Sequence, residues 1–293
     1  MQPDRTVKAP VMLLVEKEIS GVVLNNRLRQ PRGLAVTRTD KVFLTDAGND
    51  RLVQFSGDLT PVRDFGGFGG QAGLLDRPTF ITVDNDLNLM VSDENNRRVS
   101  RYNAGLNFVD DISFYDDEDP LKFGYPSGIA VTGYGEVWVA DRDRNRIAVF
   151  SNVGRFDRFL GDYGYAGGQL STPEKICRDR SGEFVVCDAG NSRLVIYDGY
   201  GNFVGELTYD GWEYPVAAAI GRDFIWVVDR AAGEISCLDP RDNLVLRSGP
   251  GLPGTDIALK QPSDIAVLSP EKLLIADTGN NRLLVCRIVY DEK

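Results

Sequence analysis

Residues 31–51 read Pro31-Arg-Gly-Leu-Ala-Val-Thr-Arg-Thr-Asp-Lys-Val-Phe-Leu-Thr-Asp46-Ala-Gly-Asn-Asp-Arg51, and the chain repeats this pattern six times. The prolines that open each unit are Pro31, Pro78, Pro126, Pro173, Pro215 and Pro262. An aspartate follows each by fifteen residues, fourteen in the fifth unit: Asp46, Asp93, Asp141, Asp188, Asp229 and Asp277. An arginine stands five residues further on at Arg51, Arg98, Arg146, Arg193 and Arg282, while the fifth unit has Glu234 there. A period of 47 or 48 residues, with one of 42 between Pro173 and Pro215, is that of a supersecondary unit which buries its apolar face only by stacking on neighbours.

Each unit reads as four strands, because runs of β-branched and aromatic residues alternate with Gly, Asp and Asn clusters. Strand one follows the proline, which suits a first strand residue because its missing N–H is not needed there. Strand two ends at the aspartate, and strand three begins at the arginine, as in Arg193-Leu-Val-Ile-Tyr197. Strand four is more polar, as in Val62-Arg-Asp-Phe65, in keeping with an outer edge. The pattern predicts an all-β fold: a six-bladed β-propeller of four-stranded antiparallel blades, formed as one domain by residues 1–293.

The last unit runs out after its third strand, at Arg282-Leu-Leu-Val-Cys-Arg-Ile288. Residues 11–18, Val-Met-Leu-Leu-Val-Glu-Lys-Glu, form a strand ahead of the first unit with no blade of their own. The economical arrangement is that the N-terminal strand completes blade six, which removes the open edges of the ring.

The 293 residues are 42% hydrophobic, enough for a core and too many for a disordered chain. The longest apolar runs, such as Val11–Val15, are far short of a transmembrane helix. With a net charge of −10 the chain has no surplus of Lys and Arg for displacing counterions from phosphates, so neither nucleic acid nor an anionic membrane is expected as a partner. The four cysteines, Cys177, Cys187, Cys237 and Cys286, form no C-x-x-C pair and sit in apolar strand runs. Cys177 and Cys187 fall on neighbouring strands, where they either pair or remain two core thiols. The segment Met1-Gln-Pro-Asp-Arg-Thr-Val-Lys8 has no apolar signal region, which fits a cytoplasmic protein and also a secreted or periplasmic one after processing.

The units Asp46-Ala-Gly-Asn-Asp-Arg51, Asp188-Ala-Gly-Asn-Ser-Arg193 and Asp277-Thr-Gly-Asn-Asn-Arg282, with the Gly-rich approach from Phe65 to Pro78, resemble the NHL repeats of six-bladed propellers. The resemblance covers about residues 11–289. It implies a fold and says little about activity.

The Asp-x-x-Asn-x-Arg motif recurs in nearly every unit, as a structural turn does, with the arginine reaching back to the aspartate. The glycine-rich segments 66–73, 161–168 and 249–254 are followed by proline and strand rather than by a helix, so they are crossings between blades and not phosphate loops. The chain contains no histidine, which removes the commonest general base and metal ligand. Among enzymes that the resemblance brings in, the amidating lyases bind zinc through histidine, so that activity does not carry over. Gluconolactonase-type propellers hold a divalent metal with Glu, Asn and Asp around the channel. Here the residues that open the inner strands offer two carboxylates, Glu174 and Asp264, with Lys175 and Arg32 available to neutralise them. A hard cation wants more oxygen donors, so no metal, cofactor or catalytic residue is expected.

Binding is the better expectation. The loops between blades and the Asp-Asn-Arg turns share one face, which carries Phe68, Tyr115, Phe123, Tyr125, Tyr163, Tyr165, Trp212 and Tyr214. Tyr, Trp and Arg are over-represented at binding hot spots. In the fifth unit the approach loop is shortest, Tyr209-Asp-Gly-Trp-Glu-Tyr214, and a notch there is expected to present Trp212, Tyr214 and Arg230. With Tyr125, Tyr163, Arg32 and Lys175 these residues make up the expected contact set of a non-catalytic protein-binding scaffold. Two other readings remain: a divalent-metal-dependent, lactonase-like hydrolase, and an extracytoplasmic domain that captures a small ligand or glycan.

Overall fold

A computed structural model describes residues 8–84, 87–113, 124–239, 244–247, 252 and 257–291. Six four-stranded antiparallel sheets form the blades of a propeller, each with the first strand of its repeat unit innermost. In blade one the strands are Pro31–Val36, Val42–Asp46, Arg51–Phe55 and Pro61–Gly66. The inner three of each blade are almost wholly buried, whereas the fourth, such as Phe203–Thr208, is largely exposed. A short ribbon, Val22–Val23 with Asn26–Arg27, joins the closing strand to blade one.

Closure is as the strand count requires. Pro10–Ser20 pairs antiparallel with Arg282–Tyr290, completing the sheet that also holds Lys272–Asp277 and Asp264–Ser269. Leu13 is fully buried in a cluster shared by blades five and six, and Ile19 enters the cluster shared by blades six and one.

The aspartate motif is a knot between three segments. One carboxylate oxygen accepts the N–H two residues before the unit's proline, from Arg29, Asp76, Gly124, Ser171 and Lys260 at 2.6–2.8 Å. The other oxygen accepts the motif asparagine and arginine, as from Asn191 and Arg193 to Asp188, both at 2.8 Å. The arginine then reaches the outer strand, Arg51 to Asp64 at 2.5 Å and Arg193 to Glu206 at 2.5 Å. In blade six the N-terminal strand supplies this outer acid, Glu18, 3.0 Å from Arg282. In blade three Arg146 stacks instead on the ring of Phe159, 3.7 Å from its centroid.

Blade five keeps this geometry with the charges reversed. Glu234 takes two hydrogen bonds from Arg247 of the outer strand, at 2.6 and 2.7 Å. Asp229, without an arginine, accepts four backbone N–H groups instead, from Glu213, Tyr214, Ala231 and Ala232. Both departures preserve a satisfied buried carboxylate.

Inner strands approach closely around the central channel. A Cβ on Gly33 would lie 2.6 Å from the Thr79 carbonyl, and one on Gly128 would lie 2.3 Å from that of Glu174. Hydroxyls stitch the strands together: Thr45 donates to the Thr79 carbonyl at 3.0 Å and Ser127 to that of Pro173 at 2.8 Å. All four cysteines are free, and Cys177 faces Val185 in register rather than Cys187. Among the described residues no helix is long and apolar enough to cross a membrane.

Candidate functional site

Two sequence columns converge on the mouth of the channel at the motif face. One is the residue after each proline, which supplies Arg32 and Glu174. The other is the residue after each motif aspartate. In blades one, four and six that residue is Ala47, Ala189 or Thr278, buried in a short 3-10 turn whose following glycine N–H bonds the carbonyl two residues before the proline. In blades two, three and five it is Glu94, Arg142 or Arg230, and its own N–H reaches the residue just before the proline. The altered turn thus comes with a charged side chain at the channel mouth.

These side chains form one cluster. Arg142 donates to Glu94 at 2.8 Å and lies 3.7 Å from Glu174, which Arg230 approaches to 3.3 Å. Arg32 and Arg77 approach Glu94 at 3.8 and 3.9 Å, close enough for ion pairing but beyond hydrogen-bond contact. Tyr125 and Tyr214 flank the cluster, with the Arg142 and Arg230 guanidinium carbons 5.7 and 5.9 Å from their ring centroids. Burial pushes Arg32 down to about 10, and repulsion from Arg230 adds to the effect. Burial also opposes the charge on Arg142, but Glu174 and Glu94 outweigh it and raise the group above its ordinary value. Burial raises the Tyr214 phenol, and the Glu174 carboxylate beside it raises it further.

The weak metal candidates are engaged elsewhere. Lys175 donates to Asp264 at 2.5 Å, and the same carboxylate accepts the N–H groups of Leu34 and Ile265, both at 2.7 Å. Lys175 is therefore held in the channel wall by an ion pair. Glu174 is neutralised by Arg230 and Arg142; Arg32 pairs with Glu94 instead of Glu174. Among the described residues no group of three metal-ligating side chains comes together. Toward the opposite face the channel opens into a cavity of about 350 Å³, lined by Ile81, Ala130, Lys175 and Cys177 among others.

The expected notch in blade five is corrected by the structure. Trp212 is only 6% exposed; it packs between blades four and five and donates its indole N–H to Ser236 at 2.8 Å. It stands three residues before Pro215, where four of the other five units place Leu28, Leu75, Leu170 and Leu259, all buried. The indole is thus the large member of a column of apolar plugs between blades, and the short loop pulls it inward. Tyr214 and Arg230 do reach the mouth, with Tyr125 and Arg32. Phe68, Tyr163 and Tyr165 stand on the same face, 74, 70 and 60% exposed. Tyr115 and Phe123 lie outside the described residues, as do most of 249–254. Arg77, Glu94 and Arg142 were not singled out from sequence; the signal for the last two was the break in the Asp-Ala-Gly-Asn column.

Six four-stranded blades, an Asp-Asn-Arg knot in four of the six turns and a closing N-terminal strand define a closed β-propeller. The NHL repeat pattern matches residues 123–150 and 170–197 of this chain. It is 28% identical over 131 residues to Protein brain tumor of Drosophila melanogaster, a match covering 44% of this chain and 13% of that protein. It is likewise 28% identical over 131 residues to B-box type zinc finger protein ncl-1 of Caenorhabditis elegans, covering 30% of this chain and 15% of that protein. The matches therefore span only a small part of those relatives. Among solved structures, virginiamycin B lyase from Staphylococcus aureus superposes with a TM-score of 0.67 at 13% identity, over 94% of this chain and all of that one, a likeness of fold alone.

Proposed function

We propose that the protein is a non-catalytic scaffold that binds another protein through the face carrying the Asp-Asn-Arg turns. The observation that carries this reading is the exposure of Phe68, Tyr163 and Tyr165 on that face, around the arginine-rich mouth. Large aromatics beside arginines are the side chains that most often anchor protein interfaces. The lyase fold neighbour gives no contrary support: a histidine-to-alanine variant of virginiamycin B lyase is catalytically inactive, and this chain has no histidine to offer. Glu174 and Asp264, the carboxylates of the hydrolase reading, are occupied by arginine and lysine.

The test is quantitative affinity capture with three forms of the full chain. Wild type is compared with Phe68→Ser plus Tyr163→Ser, and with Tyr134→Ser plus Tyr200→Ser, exposed on the opposite face. Polypeptides lost from the first double variant and retained by the second support the reading. Partners retained equally by both overturn it.

A further inference from the structure

The mouth cluster brings four guanidinium groups, Arg32, Arg77, Arg142 and Arg230, against two carboxylates, Glu94 and Glu174. Four cations and two anions leave two positive charges in excess, within a chain whose net charge is −10. Arg142 sits between both carboxylates and is well paired. The surplus falls on the other arginines, and their donors show it. Arg32 Nε and Nη1, Arg77 Nε and Arg230 Nη2 are buried atoms with no hydrogen-bond partner. Nearly all buried polar atoms in folded proteins have one, so four such donors in one cluster point to a missing acceptor.

The cluster also lacks donors. Glu94 Oε2 and Glu174 Oε2 are buried without a hydrogen bond. A bare halide would leave them so. A ligand carrying an oxyanion with a hydroxyl or ammonium group close beside it would satisfy both sets, the oxyanion taking the arginine forks and the donor meeting a glutamate. Arginine suits this task because its planar, weakly hydrated fork matches carboxylate and phosphate geometry. The lowered basicity of Arg32, caused by burial and by Arg230, is the strain that a bound anion would relieve.

We propose that the channel mouth is a receptor for an oxyanion, carboxylate or phosphate, with an adjacent hydrogen-bond donor, held by Arg32, Arg77 and Arg230 while Glu94 and Glu174 take the donor. The inference stands apart from the scaffold reading, since a small anion binds whether or not a protein docks on the face. The oxyanion comes either from a free small molecule or from the carboxylate end of a polypeptide, and the two sources separate in the test.

Calorimetric titrations use citrate, its analogue tricarballylate without the hydroxyl, inorganic phosphate, and a short peptide ending in serine, as free acid and as amide. Saturable binding is expected, weakened at least tenfold in Arg32→Met and in Arg230→Met, and unchanged in Arg222→Met on the opposite face. Citrate is expected to bind several-fold more tightly than tricarballylate. Binding of citrate or phosphate identifies a free anion; binding of the peptide acid but not its amide, with no small-anion binding, identifies a polypeptide end. Arg77→Met, which truncates the most exposed of these side chains, serves where a buried variant fails to fold. Absence of saturable binding by every probe, or equal affinity in wild type and the arginine variants, overturns the proposal.

Discussion

Replacing Leu13 with alanine measures what ring closure contributes to stability. Leu13 lies in the N-terminal strand, is fully buried, and packs in the cluster that holds Val216, Trp226, Ile275 and Leu284 of blades five and six. Truncation of a core leucine removes the transfer free energy of its methyl groups and leaves a cavity, together worth about 3–5 kcal/mol. For a chain of this size that corresponds to a fall in Tm of roughly 5–8 °C. Val11→Ala is the matched control, two residues earlier in the same strand and 48% exposed; it should stay within about 0.5 kcal/mol. The assay is thermal unfolding of wild type and both variants by differential scanning calorimetry. Deletion of residues 1–20 should go further, uncovering the edge of Arg282–Tyr290 and promoting aggregation. Equal Tm values for Leu13→Ala and Val11→Ala would refute the closure argument.

Two further outcomes follow from packing and charge. Gly128→Ala should cost about 2 kcal/mol, because the new Cβ meets the backbone of the neighbouring inner strand, whereas Gly205→Ala, with no atom within 4 Å, should be close to neutral; denaturant midpoints of the two decide it. Glu234→Arg alone should lose about 1 kcal/mol by facing Arg247, which is partly exposed, and adding Arg247→Glu should recover most of that loss; strictly additive effects in the double-mutant cycle would show that the two residues are not coupled.

The fold was legible because each propeller unit must solve the same problem, so proline, aspartate and arginine recur in phase and the unmatched strand at 11–18 has one place to go. The site was only partly legible. Arg32, Glu174, Tyr125, Tyr214 and Arg230 were visible as odd residues, but their partners were not, because Glu94 and Arg77 come from a different blade. Arg142 and Glu94 were hidden inside a motif read as purely structural; comparing the residue after each aspartate across units would have exposed them. Trp212 failed for the complementary reason. Judged by its loop it looked like a rim residue, whereas judged by its distance from the following proline it belongs with Leu75 and Leu170. Loop length says little about burial when the same offset is a plug in four other units.

The N-terminal closing strand also sets a clock on biosynthesis. Glu18 and Arg282, ion-paired across the seam, are 264 residues apart, so at about 5–20 residues per second the first strand made waits roughly 13–50 s for its partner. Blades one to five draw all their strands from contiguous stretches and are complete before then. Throughout that interval Leu13 and Ile19 have no sheet to enter, and blade five has no neighbour on its far side. A ribosome that stalls before residue 282 therefore releases an open ring with unpaired β edges and an uncovered apolar wall. Such products should be the natural clients of chaperones that recognise extended apolar segments, while the finished chain presents no such segment at the seam.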